Sequence, residues 1–294
     1  MTLSSSDSEA WKAILPEDAK IEKIAGGFQF TEGPLWDRRG FLLFSDIPAS
    51  TLYQWTPGYG EPVVFRKPTN HTNGNTFDLE ERLLSCEHDG RLSRTEPDGT
   101  ILTLADTFDG KRLNSPNDVV VKSDGGIYFT DPPYGLPKEK EELGFYGVYR
   151  LKEGVLTLLT RAQTRPNGLA FSPDETRLYV ANSDPNESVV FVYNVQPDGT
   201  ITNQRLFADL RTPGKAGLAD GMKVDVHGNL FTTGPEGVWV FTPDGTLLGK
   251  ILPPEVPANL TFGDADFKTL YITARTSVYR IRVQSAGIAP GNRV

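Results

Sequence analysis

The sequence predicts an all-β protein, a six-bladed β-propeller, on three observations. The chain of 294 residues holds 29 glycines and 22 prolines, about one residue in six against roughly one in eight ordinarily. That excess favours short strands and tight turns over long helices. A pattern with a period of about 40–50 residues recurs six times, the spacing at which propeller blades repeat. Each copy runs in the same order: a turn-like residue pair, a short apolar strand, an Asp/Gly-type turn, a second apolar strand, then a strand carrying Tyr, Trp or Arg.

The copies begin at Glu32-Gly33-Pro34, Asn73-Gly74-Asn75, Asn117-Asp118-Val119, Asn167-Gly168-Leu169, Asp220-Gly221-Met222 and Asn259-Leu260-Thr261. In PNDVVVKSDGGIYFTD, PNGLAFSPDETRLYVAN, DGMKVDVHGNLFTTG and NLTFGDADFKTLYITA, alternating hydrophobics flank a turn, which reads as a hairpin. Third strands follow as TLYQW, RLSRT, GVYRL, VFVYNV, GVWVF and SVYRI. Pro-Asp-Gly-Thr turns then lead to weaker fourth strands such as ILTLA and ITNQRLFA. The last copy lacks a fourth strand after Arg282, whereas residues 19–25 form a spare strand ahead of the first. Pairing the two closes the ring and removes open edges. On this reading residues 1–18 are a polar cap or short helix, 19–285 the propeller, and 286–294 a loose tail. The insertion LPKEKEELGF at residues 136–145 reads as a solvated loop at the edge of a pocket.

Composition narrows the function. Net charge is −8, and no run of Lys or Arg exceeds a pair, so the long-range field repels nucleic acid. Cys86 is the one cysteine, which excludes an intrachain disulfide and zinc sites built on several thiolates; it reads as a small buried apolar residue. The segment MTLSSSDSEAWKAIL lacks a basic start and a continuous apolar stretch, and no segment reaches the roughly 18 apolar residues of a membrane span. The expectation is a cytoplasmic protein with no membrane partner.

The first residues of the six copies, Glu32, Asn73, Asn117, Asn167, Asp220 and Asn259, are all carboxylates or carboxamides. Innermost propeller strands run along the central channel, so equivalent positions form a ring around the axis. Hard cations take about 6–8 oxygen ligands, and two carboxylates offset a double charge. Glu32 and Asp220 supply the two, and Asn117 and Asn167 add amide oxygens. The ring holds no Cys or His, which disfavours zinc and copper; calcium leads, with Mg²⁺ or Mn²⁺ as alternatives. Asn-Gly and Asp-Gly pairs also suit turns, but a turn preference does not explain Glu32. Asn73 and Asn259 are the weakest members, each facing substrate or capping its strand.

The motifs TEGPLW (residues 31–36), KRLNSPNDVV (111–120), FTDPPYG (129–135), RPNGLAFSPD (165–174) and LADGMKVD (218–225) resemble the gluconolactonase-like family, also called the regucalcin or senescence-marker-protein family, in its bacterial gluconolactonase branch. The resemblance spans residues 21–283. It implies a propeller with one divalent metal on the axis, held by Glu32, Asn167 and Asp220 with Asn117 nearby or as a direct ligand. Animal members carry an Arg for sugar contact where this chain has Ser115, and Arg112 is an approximate replacement.

A cation with open positions polarises a carbonyl and lowers the pKa of bound water, which suits opening of a sugar lactone. Asp118 is the first candidate for general base or for holding sugar hydroxyls, and Asp220 the other candidate base. Asp118 also suits a strand-start cap. Tyr134 reads as an aromatic pocket wall and His71 as a residue close enough to Asn73 to approach substrate; His88 and His227 read as structural or surface groups. No Gly-x-Ser-x-Gly elbow or phosphate loop occurs. The rival readings are a calcium-dependent organophosphate or small-ester hydrolase, and a non-enzymatic propeller whose calcium is structural.

Overall fold

The computed structural model describes residues 3–5 and 9–290. Turn chemistry shapes each hairpin. In the third copy Val119 and Val121 pair antiparallel with Phe129 and Ile127. The Asp124 carboxylate accepts from Gly126 N–H at 2.9 Å, and Gly125 takes φ +83°. A left-handed residue is what such a tight connection requires, and glycine adopts it without strain.

Among the described residues six antiparallel blade sheets result, each with the first strand of its repeat innermost, beside one separate two-stranded hairpin. The inner strands are Thr31–Asp37, Thr72–Phe77, Val119–Val121, Pro166–Phe171, Met222–Val224 and Asn259–Gly263. Sheets one to four are completed in sequence, ending at Val63–Arg66, Ile101–Ala105, Val155–Thr160 and Ile201–Asp209. The architecture is a six-bladed β-propeller. Apolar cores lie between adjacent blades. Tyr128 and Val148 of the third meet Leu169 and Leu178 of the fourth, and Trp36 of the first stacks on Tyr271 of the sixth at 5.2 Å. Burying one such side chain is worth about 1.5–3 kcal/mol.

Closure uses the segment expected for it. Glu22–Gly26 pairs antiparallel with Ser277–Arg282 as the outer strand of blade six, Glu22 opposite Arg280, and the Arg280 guanidinium bonds the Glu22 carboxylate at 2.8 Å.

Both ends do more than the sequence suggests. Leu3–Ser5 adds a fifth strand to blade five against Leu247–Ile251. The helix Glu9–Lys12 follows, and Trp11, Ile14 and Leu15 are buried in the core between blades five and six. This segment is an apolar wedge rather than a polar cap; residues 1, 2 and 6–8 lie outside the described residues. The expected loose tail is also corrected over residues 286–290. Gly287 bridges Asp225, Ile288 N–H donates to the Val224 carbonyl, and Ala289 is buried. Backbone groups of the blade edges and an apolar groove hold it, although its own sequence shows no strand alternation; residues 291–294 lie outside the described residues. The insertion at residues 136–145 is mostly exposed and contains one short 3₁₀ turn, Lys138–Lys140. Among the described residues no helix is long and apolar enough to cross a membrane.

Candidate active site

The first residues of the six copies converge at one end of the channel. Glu32, Asn73, Asn117, Asn167 and Asp220 line a single cavity of about 530 Å³. Asn259 sits against it, its amide donating to Glu32 Oε2 at 2.9 Å. All but Asp220 are buried.

Two backbone devices aim these side chains. In blades one, two and four the ladder slips between Glu32 and Leu35, Thr72 and Asn75, and Pro166 and Leu169. A bulge of this kind turns the strand locally and redirects the side chain beside it. The glycine after the ring residue then lets adjacent inner strands close up. A Cβ on Gly168 would lie 2.2 Å from the Asp220 carbonyl oxygen, and one on Gly221 2.1 Å from the Asn259 side chain.

The ring is bonded together. Asn73 Nδ2 donates to Asn117 Oδ1 at 2.8 Å and lies 3.2 Å from His88 Nε2. Asn167 Nδ2 approaches the Tyr134 hydroxyl at 3.5 Å. Asn73 Oδ1 is buried with no hydrogen-bond partner among the described residues, an uncompensated acceptor of the sort that marks a site for a bound group. Electrostatics say the same. Burial raises Glu32, opposed by the Gly33 N–H and reinforced by Asp118. Burial also raises Asp220, with the charges of Glu32 and Asp118 adding to it, and it raises Asp118, which the Lys223 ammonium partly offsets. Three carboxylates this close are unfavourable together unless a cation joins them. The oxygen-rich ring therefore fits a hard divalent cation, for which Glu32, Asn167, Asp220 and Asn117 offer oxygens.

Comparison with known proteins agrees with this geometry. The model of the SMP-30/Gluconolactonase/LRE-like region matches residues 30–276. This chain belongs to that family. A gluconolactonase of Zymomonas mobilis subsp. mobilis is 39% identical, covering 94% of this chain and 84% of its own length. The pentonolactonase XacC of Haloferax volcanii is 28% identical over 82% of this chain and 80% of its own length. The structure of a gluconolactonase from Xanthomonas campestris superposes with a TM-score of 0.88 at 35% identity, covering 96% of this chain and 95% of that one.

Within this gluconolactonase-like site, some expected residues stand elsewhere. Asp118 is 2% exposed and does not line the cavity. It stands where four other copies have glycine, its Oδ1 taking the Val119 N–H at 2.9 Å and its Oδ2 3.5 Å from the Asn259 amide. Asp220 lines the cavity and Asp118 lies beneath it. Arg112 is turned away: the hairpin of Thr107–Phe108 and Lys111–Arg112 places its guanidinium on the carbonyls of Leu113 and Asn114 at 2.8 and 2.9 Å. His71 is exposed and bonds Asp89 at 3.0 Å, outside the cavity. Tyr134 does line it.

Sequence reasoning passed over two cavity residues. His88 lies against Asn73 with its pKa pushed down to about 4, chiefly by burial and also by His71, so its imidazole is neutral at pH 7. A lone His in CEHDGR carries no signal of this. Arg165 also lines the cavity, and its signal was available: it stands two residues before the ring residue Asn167.

Proposed function

We infer that the protein hydrolyses sugar lactones with a divalent cation, calcium before Mg²⁺ or Mn²⁺, seated at the ring. The observation that carries this reading is the pair of carboxylates, Glu32 and Asp220, converging with carboxamide groups on the floor of a cavity the size of a small molecule. The named activities of the gluconolactonase and pentonolactonase relatives support it. The calcium choice draws on the donor set and on the calcium-binding protein regucalcin of Agrobacterium tumefaciens, whose fold this chain shares at a TM-score of 0.75 and 19% identity. When bound, such a cation polarises a carbonyl and acidifies water.

The chain's own residues have distinct tasks. Glu32, Asn167, Asp220 and Asn117 hold the cation. Asp220, the carboxylate at the cavity wall, accepts the proton of the attacking water, while Asp118 accepts from the Asn259 amide that in turn donates to Glu32. Asn73, anchored on Asn117 and His88, turns its free amide oxygen to the substrate. The Tyr134 ring forms a wall for the sugar, and the apolar rim of Phe30, Ile47, Val256 and Pro257 thins the water around it.

The test is gluconolactone opening above its spontaneous rate, with protein stripped by chelation and then resupplied with calcium. Activity should vanish and return. A protein that cleaves phosphotriesters and leaves lactones untouched, or one whose lactone hydrolysis ignores chelation, would overturn the assignment.

A further inference from the structure

We propose that Arg165 contacts the substrate and determines specificity by reading the hydroxyl groups of the lactone ring; this rests on the lactonase reading above. Arg165 is half-buried in the cavity wall. Among the described residues its guanidinium makes no hydrogen bond and no ion pair within 4 Å, the Asp184 carboxylate acting on it only from farther off, whereas Arg112 spends its own on backbone carbonyls. With its donors uncommitted at the cavity wall, a ligand that supplies acceptors is the natural complement.

The backbone under Arg165 is built to hold it. Its N–H donates to Asn182 Oδ1 at 2.8 Å, and its carbonyl accepts from Ser183 N–H at 2.8 Å. Pro166 follows, which confines the preceding residue to extended backbone. Two residues on, Asn167 stands on the ring. Arg165 thus lines the same cavity as the ring at which the lactone carbonyl is expected.

Its chemistry selects the ligand. Guanidinium offers five N–H donors in a rigid fork and no acceptor, matching adjacent hydroxyl oxygens of a sugar ring. Guanidinium also pairs with carboxylates, but Glu32 and Asp220 line the same cavity and their charges oppose an anionic substituent beside it. Sites that hydrogen-bond a substrate hydroxyl discriminate strongly against analogues that lack it.

The experiment compares kcat/KM on glucono-δ-lactone and on δ-valerolactone, the same ring without hydroxyls, for wild type, Arg165→Met and Arg165→Lys. Arg165→Met keeps the side-chain stem and should fold, as a melting curve will show. Its preference for the hydroxylated lactone should fall by about 10–10²-fold, the range for bonds to a charged donor. Lysine, a point charge without the fork, should restore only part of it. An active, folded Arg165→Met enzyme with an unchanged ratio overturns this proposal alone. A wild-type protein that opens neither lactone overturns the lactonase reading and this one with it. A third substrate, a lactone ending in a carboxylate, guards the choice of ligand: a tenfold greater loss there than on gluconolactone means that Arg165 reads charge, and the hydroxyl reading is wrong.

Discussion

Glu32 and Asp220 share one floor, and the charge of Glu32 adds to burial in raising the affinity of Asp220 for a proton. Glu32→Gln and Asp220→Asn each remove a ligand charge at nearly constant size. Cation affinity measured by calorimetry should drop at least about tenfold in both, with hydrolysis lost and the melting curve of the stripped protein unchanged or raised. Asp118→Asn should behave differently, keeping most of kcat because Asp118 stands off the cavity wall; loss of kcat comparable to that of Asp220→Asn would return the base role to Asp118. A second carboxyl carries a pH signature. Asp131 is fully buried, and burial pushes its pKa up to about 7 against hydrogen bonds from Asn114 and Ser115. A carboxyl raised above its unfolded value stabilises the fold below about pH 4, and that contribution is lost as pH rises to about 7. Asp131→Asn should therefore flatten the fall in stability between pH 4 and 7, read from urea midpoints; a variant with the wild-type slope would assign the dependence to other groups. At this scale the ring was legible because six copies repeat the same chemistry, which isolates Glu32 from any turn preference. His88 was harder to see, since it reaches the cavity through a contact between strands that sequence spacing does not encode, whereas the place of Arg165 two residues before Asn167 is legible. Arg112 misled because the short hairpin of Thr107–Phe108 and Lys111–Arg112 redirects it.

At the level of single strands, the bulge-and-glycine device is what lets side chains of different blades share a point. Gly168 is the cleanest place to test it, since its φ is ordinary and only space is at issue. A methyl there meets the Asp220 backbone at 2.2 Å. Gly168→Ala should cost about 1–3 kcal/mol of stability by overpacking and weaken cation binding by displacing Asp220, both measured on the same sample. Tight metal binding in a destabilised variant would separate the strand spacing from the site. The hairpins themselves were readable from Asp-Gly turns and alternation, as SDGG between Val121 and Ile127 shows. The outer strand Leu3–Ser5 was not, because three residues hold too little alternation to be distinguished from a polar leader.

For the whole molecule, the apolar wedge at Trp11 ties the first part of the chain to blades five and six. Trp11 is 4% exposed and lies on Gly249, where an added Cβ would meet its ring at 2.8 Å. Trp11→Ala should destabilise by about 3–5 kcal/mol while leaving kcat per folded molecule near wild type, since the helix is remote from the cavity. A melting temperature unmoved by the change would mean that the wedge rests on the propeller without supporting it. The ring itself was predictable because a spare strand at one end matched a missing one at the other.

That closure has a kinetic consequence. Glu22 and Arg280 are 258 positions apart, so during synthesis the strand Glu22–Gly26 waits unpaired until the final blade has left the ribosome. Until then blade six lacks its outer strand and the early strand lacks a partner, and both are open to pairing with other chains. Ring closure is thus a late, high-contact-order event and a natural slow step in refolding. A circular permutant opened within the exposed insertion at residues 136–145, with the present ends joined, would make the closing pair local in sequence and move the slow step to another blade.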